Sequence, residues 1–186
     1  MSVLAAAQTE GGRRWEAAIA RLPPADRTSS AVVQTSAADD TWDGPGALPP
    51  NIAIADSLRG TMREMLHASP TFRRQCLRIT NAPRLTVMFD LFQPMPSERM
   101  RARTRVSMTR EGTTVAKVEI GQMDQAVELI AHEIEHVIEQ LDEVDLPALA
   151  AVPESGVHDC GNRSFETIRA TRVGRIVAAE VKRHFT

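Results

Sequence analysis

The sequence predicts an α+β domain over residues 51–186, with a small three-stranded antiparallel or mixed sheet packed on helices. Three observations carry that expectation. Apolar residues recur every three or four positions near 54–65, 72–79, 127–141 and 170–181, the spacing of one helix face. They alternate at 85–91 and 114–120, the spacing of a strand. Glu111-Gly112 lies between residues 101–110 and 113–120 as a hairpin turn.

Residues 1–50 read as a lead-in. Trp15, Ala18, Ile19 and Leu22 share a face of a short helix over 13–22. The Ser/Thr/Ala/Asp-rich stretch after Pro23-Pro24 ends in Gly44-Pro45-Gly46 and Pro49-Pro50, a linker composition. Residues 3–8 look like the tail of a signal peptide, with Ala5 and Ala7 in A-x-A register. A truncated signal or pro-segment and a plain Ala-rich terminus both fit. The expected location is cytoplasmic if Met1 is the true start, and secreted or periplasmic if the start lies upstream.

Within the domain, Asn51 is placed to cap a first helix carrying Ile54, Leu58, Met62 and Met65. Ser69-Pro70 starts a second, with Phe72, Cys76 and Ile79 facing the core. Leu85, Val87, Phe89 and Leu91 mark a half-buried strand. The hairpin follows, with Thr114, Ala116, Val118 and Ile120 on one face. A helix from about 124 to 141, a loop with Pro147, Pro153 and Gly156, and a last helix from about 164 to 183 complete the order. No internal repeat is visible.

Composition narrows the function classes. The 186 residues are 42% hydrophobic and 25% charged, which suits one soluble globular domain. A net charge of −2 gives no general attraction to nucleic acid or anionic membranes, and no apolar run is long enough to span a bilayer. Two cysteines, Cys76 and Cys160, are too few for a disulfide framework or a cysteine-based zinc site, and whether they pair is open. Oligomeric state is open as well.

The chemistry concentrates in His132-Glu133-Ile134-Glu135-His136, an H-E-x-x-H motif. Residues four apart on a helix share a face, so His132 and His136 can present ring nitrogens to one metal ion, with Glu133 beside them. At about 100° per residue, Val127, Ile130, Ile134, Val137, Ile138 and Leu141 form the apolar stripe, and the histidines lie nearly opposite. The helix can therefore anchor in the core and turn its histidines toward a cleft. The competing reading is a solvated acidic face, because Glu135 is charged and Glu139 and Glu143 follow.

Two histidines need a third ligand. Glu166 falls on the inward side of the expected last helix, with Ala170, Val173, Val177 and Val181, where a carboxylate is costly without a positive partner. It also reads as a first-turn acid that favours a helix N-terminus. His158 and Asp159 are rival ligands from the preceding loop, and Glu180 is expected to pair with an arginine. Ala170, Gly174 and Ala178 form a ridge of small residues that would let this helix pack closely on the motif helix.

The motif followed by Glu166 resembles the gluzincin class of zinc metallopeptidases, whose best-known members are thermolysin-like. Ser69-Pro-Thr-Phe-Arg73, the motif with Glu139, and Phe165-Glu166…Gly174-Arg175…Glu180-Val181 resemble a group of small, uncharacterised bacterial proteins with a zincin-like core, over about residues 55–183. The resemblance implies Zn2+ held by His132, His136 and Glu166, an H-E-x-x-H active-site helix, a ligand-bearing C-terminal helix, and Glu133 as general acid/base toward a peptide or protein substrate. The class usually carries an acid four residues after the glutamate, and here that position is Ala170, so support for a histidine must come from elsewhere. The chain has no tyrosine to steady an oxyanion, which leaves His158 first, then Arg169 or Arg172, or the metal alone. By analogy one hairpin arm would pair with substrate. Arg101, Arg103 and Arg105 alternate on one strand face, where they would favour acidic peptides, contact nucleic acid or stay a solvated face. A di-metal carboxylate bundle would need a second Glu-x-x-His, which is lacking. A catalytically inactive zincin-like metal-binding or interaction protein is the standing alternative.

Overall fold

Parallel strands are buried on both faces, and that explains how residues 85–91 behave. In the computed structural model, which describes residues 48–93 and 101–186, β2 (Leu85–Leu91) buries Thr86 and Met88 as well as Leu85, Val87 and Phe89. It pairs in parallel with β1 (Ile52–Ile54) on one side and β4 (Thr114–Ile120) on the other. The hairpin forms as expected: β3 (Ala102–Met108) runs antiparallel to β4, and Gly112 takes a left-handed φ of 77° at the turn. The sheet is thus four-stranded and mixed, in the order β1-β2-β4-β3, rather than three-stranded. Strand β3 is its antiparallel edge.

The strand missed from sequence is β1. Its three residues place Ile54 at helical spacing from Leu58, and so it read as the first turn of a helix. Asn51 does not cap the first helix; its Nδ2 donates to the Ile79 and Leu85 carbonyls at 2.7 and 3.1 Å, fastening the start of β1 to its neighbours. Helix α1 (Asp56–Ala68) begins later and buries Leu58, Met62 and Met65. Leu48 packs against the core and Pro49 is buried, so the domain begins slightly before residue 51. The expected helix at 13–22 and most of the linker lie outside the described residues.

Ser69 ends α1 and caps α2 (Pro70–Thr80), accepting from the Phe72 amide at 3.0 Å, with Phe72, Cys76 and Ile79 at 0% exposure. A 3₁₀ turn (Met123–Gln125) leads into α3 (Ala126–Leu141), which carries the motif through the centre of the core. After α4 (Leu146–Ala150), residues expected in a loop and a helix start form a two-stranded ribbon, β5 (Val157–Gly161) with β6 (Ser164–Thr167). The last helix, α5 (Ile168–His184), therefore starts four residues later than expected, capped by Thr167, whose hydroxyl accepts from the Ala170 amide at 2.9 Å. Among the described residues no helix is long and apolar enough to cross a membrane.

Helix α5 lies close against α3 because Gly174 lets it. A Cβ there would stand 2.8 Å from the Glu128 carbonyl oxygen and 3.3 Å from the His132 Cβ, so the small-residue ridge sets the approach beside the motif. Near its other end, Glu180 receives hydrogen bonds from the Ser69 hydroxyl and from the Thr71 amide and hydroxyl, tying α5 to the start of α2 instead of to an arginine. Burial opposes the Glu180 charge, but these donors outweigh it and hold the carboxyl below the ordinary glutamate range. Stability drawn from such a group is full above the unfolded-chain pKa of about 4.3 and is lost as pH falls through the lower folded value. Glu180→Gln should lower Tm at pH 7, with the gap to wild type closing as both are acidified; a gap that persists in acid contradicts this role.

Candidate metal centre

A regular helix brings His132 and His136 together, and the ribbon brings Glu166 to them. The two Nε2 atoms stand 3.1 Å apart, and the His132 Nε2 lies 3.2 Å from the Glu166 Oε2. One ligand atom from each of the three residues falls within 4.8 Å of the others. Donors bound to one zinc ion at 2.0–2.1 Å and tetrahedral angles would stand about 3.3–3.4 Å apart, so both separations lie within a few tenths of an ångström of that spacing. Two imidazole nitrogens and one carboxylate oxygen are also a donor set that suits zinc. Glu166 does not sit on a buried helix face, however. It lies on β6, with its side chain 52% exposed, where the His132 hydrogen bond outweighs burial and lowers its pKa.

His136 is aimed from behind. Its Nδ1 lies 2.8 Å from the Glu139 Oε2, and the Glu139 Oε1 accepts from the Thr167 hydroxyl at 2.7 Å. With the Nδ1 proton given to this carboxylate, the Nε2 lone pair is turned toward His132 and Glu166. Burial disfavours the charged imidazole, but the Glu139 hydrogen bond and the charges of Glu133, Glu139 and Glu166 outweigh it, so the His136 pKa is raised. Thr167 adjoins Glu166 and caps α5. One hydroxyl thus couples the strand that bears Glu166 to the helix that bears His132 and His136.

The acids of α3 are not a solvated face. Glu133, Glu135 and Glu139 are 5%, 5% and 2% exposed, and each has its own partners. Glu133 Oε2 accepts from the Thr104 hydroxyl on the edge strand at 2.7 Å. Burial raises its pKa against the pull of Thr104 and the two histidines. Glu135 turns away from the histidines to α2 and α5, accepting from the Gln75 Nε2 and the Arg169 Nε, both at 2.7 Å. Its charge at the variable position of the motif therefore serves packing between helices.

A cleft of about 820 Å³ opens over the cluster between β3, α3, β6 and α5, and His132, Glu133, His136 and Glu166 all line it. His158 pairs in register with Glu166 on the ribbon but is exposed and absent from the lining, and Asp159 accepts from the Gly161 amide at 2.7 Å instead. Arg169 binds Glu135 and Asp142, and Arg172 lies along a separate groove on α5, so neither reaches the cleft. The cysteines are both free: Cys76 is buried with its thiol pushed up to about 12, while exposed Cys160 lines the cleft. Glu139, Thr167 and Thr104 were missed as parts of the site. The only cue was the i, i+3 spacing of Glu139 from His136. Compared with family models, curated proteins and solved structures, the chain matches none of them.

Proposed function

We propose that the protein is a zinc-dependent metallopeptidase in which His132, His136 and Glu166 hold the metal and Glu133 is the general acid/base. The observation that carries this reading is the convergence of the two Nε2 atoms and the Glu166 carboxylate beside a buried Glu133. A zinc ion held there supplies Lewis acidity, polarising a carbonyl and acidifying a water to a pKa of about 7.

The chain's own residues supply the rest. Thr104 fixes the Glu133 Oε2 and leaves Oε1 to accept a proton from the attacking water. Burial raises the Glu133 pKa in the metal-free protein, and a carboxylate in this position would take a proton from the water and return it to the leaving amine. Among the described residues no strand pairs with the outer edge of β3, and that edge would pair with an extended peptide while Thr104 of the same strand holds the base. Helix α3, flanked by the sheet and by α2 and α5, is the rigid support such a site requires.

The test is hydrolysis of a quenched random-peptide library. Chelator-stripped protein should be inactive, and about one equivalent of zinc should restore cleavage. Tight zinc binding with no cleavage of any peptide would contradict the peptidase assignment and favour a metal-binding interaction protein.

A further inference from the structure

Among the described residues, the cleft's arginines without an acidic partner equal its acids in number, three against three, and a divalent ion at the metal site would leave the arginines in excess. Arg101 before β3, Arg163 at the tip of the β5–β6 ribbon and Arg175 on α5 all line it. They come from three separate elements and frame the opening from different sides, unlike the charges of one solvated strand. Arg101 Nη1 donates to the Gln125 side-chain oxygen at 2.7 Å, a neutral partner that orients the guanidinium without cancelling its charge. Arg163 and Arg175 have no hydrogen-bond or ion-pair partner among the described residues. Asn162 and Arg163 take left-handed φ of 53° and 60°, the conformation of a two-residue hairpin turn, which fixes the backbone from which Arg163 projects.

The basic residues of β3, including Arg103 of the cleft lining, are engaged with Glu119. Arg103 Nε donates to Glu119 at 2.6 Å and its guanidinium lies over the Phe92 ring, while Arg105 also turns to Glu119. The three acids of the lining are Glu128, Glu133 and Glu166. A divalent ion held at the site would balance the latter two, leaving Glu128 against three guanidinium groups.

We infer that the cleft selects peptides carrying carboxylates around the bond over the metal site, and that Arg101, Arg163 and Arg175 hold them. Guanidinium forks match carboxylates in paired, charge-assisted hydrogen bonds, and the partly enclosed cleft strengthens them relative to open surface. This rests on the peptidase reading for the class of ligand but concerns binding, which is measured separately from cleavage.

The experiment uses the full chain, zinc-loaded and carrying Glu133→Gln, with a fluorescent peptide of alternating Glu and Ala and the same peptide with Gln for Glu. Anisotropy at low ionic strength should show the acidic peptide bound at least about ten-fold more tightly, an advantage that shrinks as salt is added. Adding Arg163→Gln and Arg175→Gln together should reduce the difference to about two-fold. Equal binding of the two peptides by the parent, a preference left undiminished by the double substitution, or tighter binding of a single-stranded oligonucleotide would each overturn the inference. Hydrolysis by the unsubstituted protein runs in parallel. Selective binding without cleavage leaves the inference standing and defeats the peptidase reading; equal binding and cleavage of both peptides does the reverse.

Discussion

Glu133→Gln should lower kcat/KM for peptide hydrolysis by about 10²–10⁴-fold, the usual weight of a general acid/base, with zinc content unchanged. The substitution is nearly isosteric, and its amide oxygen still accepts from the Thr104 hydroxyl that holds Glu133 at 2.7 Å. The proposed metal ligands lie one residue before it, three after it and on the ribbon, so none is altered. Its effect on folding follows from the sign of the pKa shift. Glu133 is raised by burial, so ionised Glu133 costs the metal-free fold stability once pH exceeds the unfolded-chain value of about 4.3. Metal-free Glu133→Gln should therefore melt at or above wild type at pH 7, and the gain should vanish in acid. Retained hydrolysis in a zinc-loaded variant would remove Glu133 from the mechanism.

Glu139→Ala should raise the zinc Kd by about 10–100-fold, although Glu139 touches no metal. The carboxylate is 2% exposed and accepts from both His136 and Thr167. Truncation leaves two buried donors without an acceptor, each worth about 1–3 kcal/mol, so Tm should also fall. Glu139→Gln separates positioning from folding. Its carbonyl oxygen still receives the His136 proton, so Tm should recover most of the loss, while zinc affinity recovers less because the neutral amide no longer raises the basicity of the imidazole. Isothermal titration with zinc and thermal melts read the two effects. Unchanged zinc affinity in Glu139→Ala would contradict the positioning role.

The helix periods were legible because each buries one face: Leu58, Met62 and Met65 on α1, and Ile130, Ile134, Val137 and Ile138 on α3, are all buried as their spacing required. Ser69-Pro70 and Glu111-Gly112 were legible because cap and turn chemistry is local. Strand β1 was hidden because three residues show no alternation, and it exists only through its parallel pairing with β2. The ribbon was hidden because Ser164-Phe-Glu-Thr167 is short and runs straight into a helix, although Gly161-Asn162 is a hairpin signal. Glu166 was therefore named as a ligand candidate on the wrong kind of element. Arg169 and Thr167, which donate to Glu135 and Glu139, lie 34 and 28 residues further along the chain, and no local pattern announces a contact made only when α5 docks on α3.

Zinc K-edge X-ray absorption on protein reconstituted with one equivalent of zinc tests the metal assignment most directly. A site built from His132, His136 and Glu166 predicts stoichiometric binding with a nitrogen/oxygen shell at about 2.0–2.1 Å, two imidazole signatures and no sulfur. Zinc that washes off, or a sulfur scatterer at about 2.3 Å marking recruitment of a cysteine, would contradict it.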